Sequence, residues 1–423
     1  MIKNILKVLD SVKNDGWLIV NTIIESEELF FVKKELDMNR GKKVNNINVT
    51  IYRESEVDGT KFTGSSRTKI SPTMNDAEIL EALNVASLAA SFVKNQYYEL
   101  VEPREYSFKS SVKEVMINKL VEAVYKNDTC KNGGINSSEF FVEKHTKRVL
   151  NSKGVDVSYD IQSCMIEIIT DWKEDGEEVE LHEIVNFASI DYLDLENRVK
   201  DMLEETRLRA IATPLKPVGN VPVILSGTSV KSMVQYFTIR ANNQYKYEGY
   251  FDSEVGDKLQ GEVKSDSLNV TLRPILENST LSAPCDSDGF ILKDINIIKN
   301  GELVNRYGTK RYSSYLSLEP TGNIQNIDVQ AGTMKESELL KPHIEIIAFS
   351  DFQTSPLTGD FGGEIRLARY FDGSKYIPYH GGAITGNMKN IQGNIKLSEE
   401  LQQLNNFKGP KYIKFEKYSL VTS

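Results

Sequence analysis

Thr213-Pro214-Leu215-Lys216-Pro217 stops every periodic pattern that approaches it, and the chain reads differently on its two sides. The two prolines fix φ twice and remove two backbone donors, so neither a helix interior nor a central strand runs through this stretch. The main domain boundary falls here, with residues 1–212 forming one region and 213–423 the other. A chain of 423 residues exceeds what one hydrophobic core usually supports, so a division of this kind is expected.

Upstream of the break, Leu195, Val199, Met202 and Leu203 recur at helical spacing over residues 192–210. Before them lie an acidic hairpin-like region at 171–180 and a partly alternating strand at 158–170, with Ile161, Met165 and Ile169 on one face. Two short strands, 139–142 and 147–150, follow a polar surface loop at 128–138. The second runs into the turn Asn151-Ser152-Lys153-Gly154. A helix is expected over 111–126, with Val112, Val115, Met116, Leu120 and Val124 inward.

The first hundred residues read as a unit of their own, and the stretch to about 212 as a second. A first helix candidate (1–14) ends at Asp15-Gly16. Strand-like runs follow at 28–32, 48–52 and 67–71, with turns expected at Arg40-Gly41, Asp58-Gly59 and Gly64-Ser65. A long helix comes next, capped by Thr73, with Ile79, Leu80, Leu83, Ala86 and Ala90 in one stripe. Such helix stripes need the one apolar face of an antiparallel sheet, an α+β layer arrangement.

Downstream, Pro222-Val223-Ile224-Leu225 reads as a buried strand and residues 228–241 as a helix. Short strands then dominate, at 270–272, 289–291, 313–318, 343–349, 363–370 and 412–415. The fold class is therefore α+β: an amino-terminal helix and antiparallel-sheet region, then a largely antiparallel, curled β domain.

Composition bounds the function. Hydrophobic residues at 40% and charged residues at 26% belong to a globular protein. The first helix has Lys3, Lys7, Asp10 and Lys13 where a signal peptide needs an apolar run, and no stretch approaches a membrane span. A cytoplasmic location is expected. Net charge is −9 with no basic block, which argues against nucleic acid as the partner. Cys130, Cys164 and Cys285 form no CxxC pair and no disulfide framework.

The chemistry-bearing residues are scattered. His145, His182, His343 and His380 form no HExxH, HxH or zinc-finger spacing. His182-Glu183 stands alone, with Asn186 where a second histidine belongs, and reads as a half-exposed strand or loop histidine. Neither a nucleophile elbow nor a phosphate-binding glycine loop occurs. The richest glycine clusters are 359–363 and 381–387. Asp360, Gly362, Gly363, Gly386 and Asn387 are candidates for a cleft in which a peptide strand pairs with the backbone. Tight turns in a curled sheet are the plainer reading of the same glycines.

Taken in order, several segments resemble the TldD/PmbA family, once named modulators of DNA gyrase and known as a peptide-processing protease system. In the first region these are Leu29-Phe30-Phe31, the strand 49–53, the turn 59–64, the alanine-rich helix and Arg148-Val149-Leu150-Asn151-Ser152-Lys153-Gly154. In the second they are Pro222-Val223-Ile224-Leu225, Gly256-Asp257-Lys258-Leu259, Cys285-Asp286-Ser287-Asp288-Gly289, Thr358-Gly359-Asp360-Phe361 and Ile384-Thr385-Gly386-Asn387. The family's metal-bearing subunit carries HExxxH on the helix after the PVxL strand, plus a late cysteine. Carried onto this chain, those positions are Gln235, Tyr236 and Arg240, and the last cysteine is Cys285. Glutamine is a poor zinc ligand, tyrosine is no base near neutrality, and arginine repels a cation.

The resemblance is thus to the PmbA/TldE-like subunit. It implies a chain with no metal or cofactor and no catalytic residue of its own, and a partner role beside a metal-bearing TldD-like subunit that processes unfolded or small peptides. Two other readings stay open: a homodimeric peptide-binding or scaffold protein, and a stand-alone hydrolase in which His343, His380, Asp360 and a cysteine converge.

Overall fold

The computed structural model describes residues 1–106, 108, 115–174, 176–219 and 221–422. The first half contains α1 (Ile2–Leu9), β1 (Gly16–Val32), β2 (Glu35–Val57), β3 (Thr60–Ile70), α2 (Asp76–Ser91), β4 (Asn95–Gln96) and α3 (Ile117–Tyr125). It continues with β5 (Gly133–Asn151), β6 (Asp156–Glu174), β7 (Glu177–Phe187) and α4 (Tyr192–Ile211). The seven strands form one antiparallel sheet in the order β4-β3-β2-β1-β5-β6-β7.

Period-two alternation assigns the faces. On β1, Ile19 packs with Ile47, Val49 and Ile51 beneath α1 and α2, whereas Leu18 joins the core shared with the second half. Leu29, ten residues after Ile19 and so on its face, packs with Leu120, Phe140 and Val199 beneath α3 and α4. On β6, Val157, Tyr159 and Ile161 belong to the shared core, while Cys164, Ile166 and Ile168 lie under α3 and α4. Both helix pairs therefore cover one face, and the second half packs against one end of the other. Ile79 and Leu83 on α2 are fully buried, each contributing about 2 kcal/mol through apolar area removed from water.

Several expectations change. Arg40-Gly41 is no turn but mid-strand, paired with Glu28 and Glu27, so β1 and β2 run nearly their full length as one hairpin turning at residues 33–34. Gly64 also lies within a strand; a Cβ there would sit 1.9 Å from the Ala90 carbonyl oxygen, so glycine admits the close approach of α2. The helix cap is Asn75, not Thr73, in a capping box with Glu78. The loop expected at 128–138 ends sooner, because β5 begins at Gly133, and the strands expected at 139–142 and 147–150 are one. Met165 and Ile169 are only partly buried, because the buried face of β6 beyond Ile161 is the even-numbered one. Residues 111–114 of the helix expected over 111–126, Val112 among them, lie outside the described residues.

The second half contains β8 (Thr213–Pro214), β9 (Val223–Ser226), α5 (Thr228–Thr238), α6 (Asn243–Tyr247), β10 (Val270–Arg273), β11 (Ile295–Lys299) and β12 (Glu302–Leu303). Then come α7 (Lys310–Tyr315), β13 (Asn326–Val329), β14 (His343–Thr354), β15 (Asp360–Phe371), β16 (Tyr376–His380), β17 (Ala383–Asn387) and α8 (Met388–Ile391). The last strands are β18 (Lys396–Leu397), β19 (Leu401–Leu404), β20 (Phe407–Pro410) and β21 (Tyr412–Phe415). They make an eight-stranded sheet, β18-β21-β9-β14-β15-β16-β8, with β17 on β15, and a six-stranded sheet, β12-β11-β10-β13-β20-β19. Parallel pairs occur at β9–β14, β8–β16 and β13–β20; the rest is antiparallel.

Two short strands expected here do not form. Residues 313–318 start within helix α7, where Tyr312 and Tyr315, three apart, both stack on Tyr247. Gly289-Phe290-Ile291 makes a single bridge, Ile291 to Cys285.

Candidate functional site

The helix after the buried strand β9 forms as expected. α5 is followed by one 3-10 turn, Ile239–Ala241, and Val230, Met233, Val234 and Phe237 all point into the core. The three motif positions have three different surroundings. Gln235 is exposed. Tyr236 is buried, its ring edge-on to Phe237 at 5.0 Å. Burial raises its phenol above the ordinary range, further from service as a base.

Arg240 is the centre of the arrangement. Its guanidinium carbon lies 3.6 Å from the centroid of the Tyr236 ring and 4.7 Å from that of Phe251. Nη1 donates to the Tyr236 carbonyl at 2.6 Å and to the Pro356 carbonyl at 3.0 Å. Burial works against its charge, yet a guanidinium stays protonated in any protein setting. A fixed cation, held by a ring face and two carbonyls, occupies the ground beside the motif helix. A divalent metal ion does not fit there. Among the described residues no three His, Cys, Asp or Glu side chains gather as a metal site anywhere.

Sequence reasoning missed the second arginine. Arg306 is buried; its Nη1 donates to the Ser253 carbonyl at 2.7 Å and its Nη2 to the Arg240 carbonyl at 3.1 Å. It anchors the backbone that carries Arg240. Nothing in the surroundings of Arg306 in sequence announces this, because every partner is at least 53 positions away.

The loop bearing Pro356 continues into the glycine-rich candidates. Gly359 has φ +84°, and a Cβ on it would sit 2.7 Å from the Tyr236 ring. Glycine therefore serves both the left-handed backbone and the close contact. Asp360 is exposed, with both carboxylate oxygens engaged: Thr358 Oγ1 donates to Oδ2 at 2.7 Å and Asn387 Nδ2 to Oδ1 at 2.7 Å. Those two bonds, Thr358 first, hold its carboxyl below the usual range, so it is an ionised acceptor rather than a proton donor.

The five cleft candidates do come together, on one ladder: Asp360 faces Asn387, Phe361 faces Gly386 and Gly362 faces Thr385. Gly362 and Gly363 also pair with Gln353 and Phe352 of β14. With a strand on each side, neither glycine leaves a free backbone edge. At Gly386 a Cβ would collide with Tyr418 Oη and Phe361, so glycine there makes room for two rings. Gly362 and Gly363 are thus mid-sheet rather than in tight turns, whereas Gly386 and Asn387 lie on β17, whose ladder among the described residues is with β15.

The remaining candidates stay apart. His343 is buried against Phe371 and Tyr376, and its Nδ1 lies 2.8 Å from the Lys341 carbonyl. It pairs with Phe371 at one end of the β14–β15 hairpin, whereas Asp360 opens β15 at the other, roughly 35 Å away along the strand. Cys285 is buried, its thiol pushed up to about 12 mainly by burial. His182 is a strand residue on β7, with Nε2 2.8 Å from Glu167. The site of a stand-alone hydrolase is not assembled by these groups.

Where the two halves meet, Asp286 accepts the backbone N–H groups of Asp288, Phe290 and Asn323. Burial and then the neighbouring Asp288 raise its carboxyl. Asp288 faces a small cleft with Tyr52, Tyr98, Asn151 and Lys310; burial raises its carboxyl, opposed by Arg67 and Arg311. The cluster contacts both halves and serves as packing between them.

Comparison with known proteins follows the same lines. Over 338 residues the chain is 24% identical to an uncharacterised protein of Methanocaldococcus jannaschii, covering 70% of this chain and 74% of that one. Its fold matches the crystal structure of TldE from Thermococcus kodakarensis with a TM-score of 0.80 at 16% identity, over 100% of this chain and 99% of the other. A candidate modulator of DNA gyrase from Thermotoga maritima gives 0.79 at 14% identity, with 100% of both chains covered. No helix among the described residues is long and apolar enough to cross a membrane. Residues 218–421, which contain Arg240 and the β15–β17 ladder, match the family model of the PmbA/TldA metallopeptidase C-terminal domain, so this part of the chain is identified with that domain.

Proposed function

We propose that this chain is a non-catalytic, TldE-like partner subunit of a cytoplasmic metallopeptidase that processes unfolded or small peptides, with a metal-bearing TldD-like chain as its partner. The observation that carries the reading is Arg240. A cation bonded to the Tyr236 and Pro356 carbonyls stands beside the helix on which the family's catalytic subunit places its ligands. Water activation by a bound metal and a neighbouring carboxylate therefore has no counterpart on this helix. A net charge of −9 favours peptides over nucleic acid, and three free cysteines suit a reducing cytoplasm.

The test is reconstitution. This chain is co-expressed with a metal-bearing family member from the same genome, and the mixture is assayed on an unfolded peptide. Stable co-purification, with hydrolysis that needs both chains, is the expected result. Hydrolysis by this chain alone overturns the reading.

A further inference from the structure

A group of tyrosines surrounds one arginine where α6 and α7 face each other. The Tyr247 ring lies 4.8 Å from that of Tyr315 and 5.9 Å from that of Tyr312, and Tyr315 meets Tyr98 edge-on at 5.9 Å. The Arg311 guanidinium carbon sits 5.3 Å from the Tyr312 centroid and 5.5 Å from that of Tyr315. Tyr312 and Tyr315, three apart on a helix, share a face for that reason alone. Internal packing does not account for the rest. Tyr247 stays 44% exposed, and Tyr250, three residues on, 53%. Exposed tyrosines gathered about an arginine have the composition of a binding hot spot, because stiff rings give wide contact area for little lost side-chain entropy.

The charges select the occupant. Glu248 accepts from Tyr312 and from Gln244 Nε2 at 2.9 Å, and Lys246 is paired with Glu254. Among the described residues Arg311 donates from Nε alone, to Tyr315 Oη at 3.1 Å, and forms no salt bridge. Its terminal nitrogens, the fork that grips a carboxylate, are left uncommitted. Asp288 draws Arg311 electrostatically, but that pull is shared with Arg67. Beside Arg311, Lys310 spends one donor on the Leu100 carbonyl at 2.9 Å and keeps two. The cleft below, lined by Tyr98 and Lys310, is too narrow for a side chain, so an occupant lies across the rings. Exposed rings beside cations with free donors match an aromatic side chain next to an acidic one.

This face stands on the same backbone as Arg240. Asn242, two residues further on, bridges to Tyr307, and Arg306 bonds the Arg240 and Asn242 carbonyls. We propose that the face formed by Tyr247, Tyr312 and Tyr315 binds an extended peptide through an aromatic residue stacked on Tyr247, with a neighbouring carboxylate taken by Arg311. The choice of a peptide rests on the subunit role argued above, and the proposal names which peptides that role favours.

Binding is measured on the full-length chain alone by fluorescence anisotropy, with a labelled Gly/Ser octapeptide carrying Phe-Glu at its centre. Tyr247→Ala is expected to weaken it by about fivefold or more, and Tyr247→Phe, which keeps the ring, by less than about twofold. Arg311→Gln is expected to weaken the Phe-Glu peptide by about tenfold and to leave a Phe-Gln peptide unchanged. A general loss of structure would weaken both peptides alike. Absence of binding to the wild type, equal binding by Tyr247→Ala, or equal losses of the two peptides in Arg311→Gln overturns the proposal. Hydrolysis does not enter the measurement, so a missing catalytic partner overturns the subunit role and leaves this result standing.

Discussion

At Arg240 one side chain satisfies two carbonyls and lies against two aromatic rings. Truncation removes charge-assisted hydrogen bonds and a cation–π contact at a half-buried site, so Arg240→Ala is expected to destabilise the chain by about 2–3 kcal/mol in urea unfolding. Gln235→Ala, five positions earlier and exposed, should stay within about 0.5 kcal/mol. Equal effects at the two positions would contradict the assigned roles. Half of this contrast is legible in sequence, because Tyr236 and Arg240 are four apart on a helix and must meet. Phe251 and Pro356 are not legible, being brought in by loops whose paths no local pattern encodes.

Among elements, α4 shows how a helix read correctly from its stripe still hides its electrostatics. Leu195, Val199, Met202 and Leu203 are all buried, as their spacing implies. Glu205, one turn from the end of that face, has its carboxyl raised to about 7, first by burial and then by Asp201. A carboxyl whose folded pKa lies above its unfolded value favours folding while protonated. Its contribution is complete below the unfolded pKa and is lost as pH rises toward 7. Glu205→Gln is therefore expected to flatten the fall in stability between pH 5 and pH 8, by about 1–3 kcal/mol across the window. An unchanged pH profile of thermal unfolding would show that Glu205 titrates normally. Strand ends were the least legible feature. Arg40-Gly41 looks like a turn because its residues are turn-formers, yet register with β1 carries the strand through it. The Asn75–Glu78 capping box, by contrast, is a local pattern legible in the sequence, an Asn followed three residues later by Glu ahead of an apolar run.

For the whole molecule, layer logic survives because it follows from burial: four helices on one face of a sheet, then a β-rich half around a shared core. What sequence could not give is that the strands before residue 100 and those after 132 belong to one sheet, since the β1–β5 pairing joins segments over a hundred residues apart. It also could not say that the glycines at 362 and 363 would lie between two strands, β14 and β17. The functional account depends on the motif helix being closed to a cation by the protein's own guanidinium. Equilibrium dialysis of the full-length chain against zinc, followed by elemental analysis, tests this most directly. Zinc content no higher than that of an unrelated control protein is the outcome expected here. One tightly held zinc per chain, lost on mutation near Arg240, would contradict it.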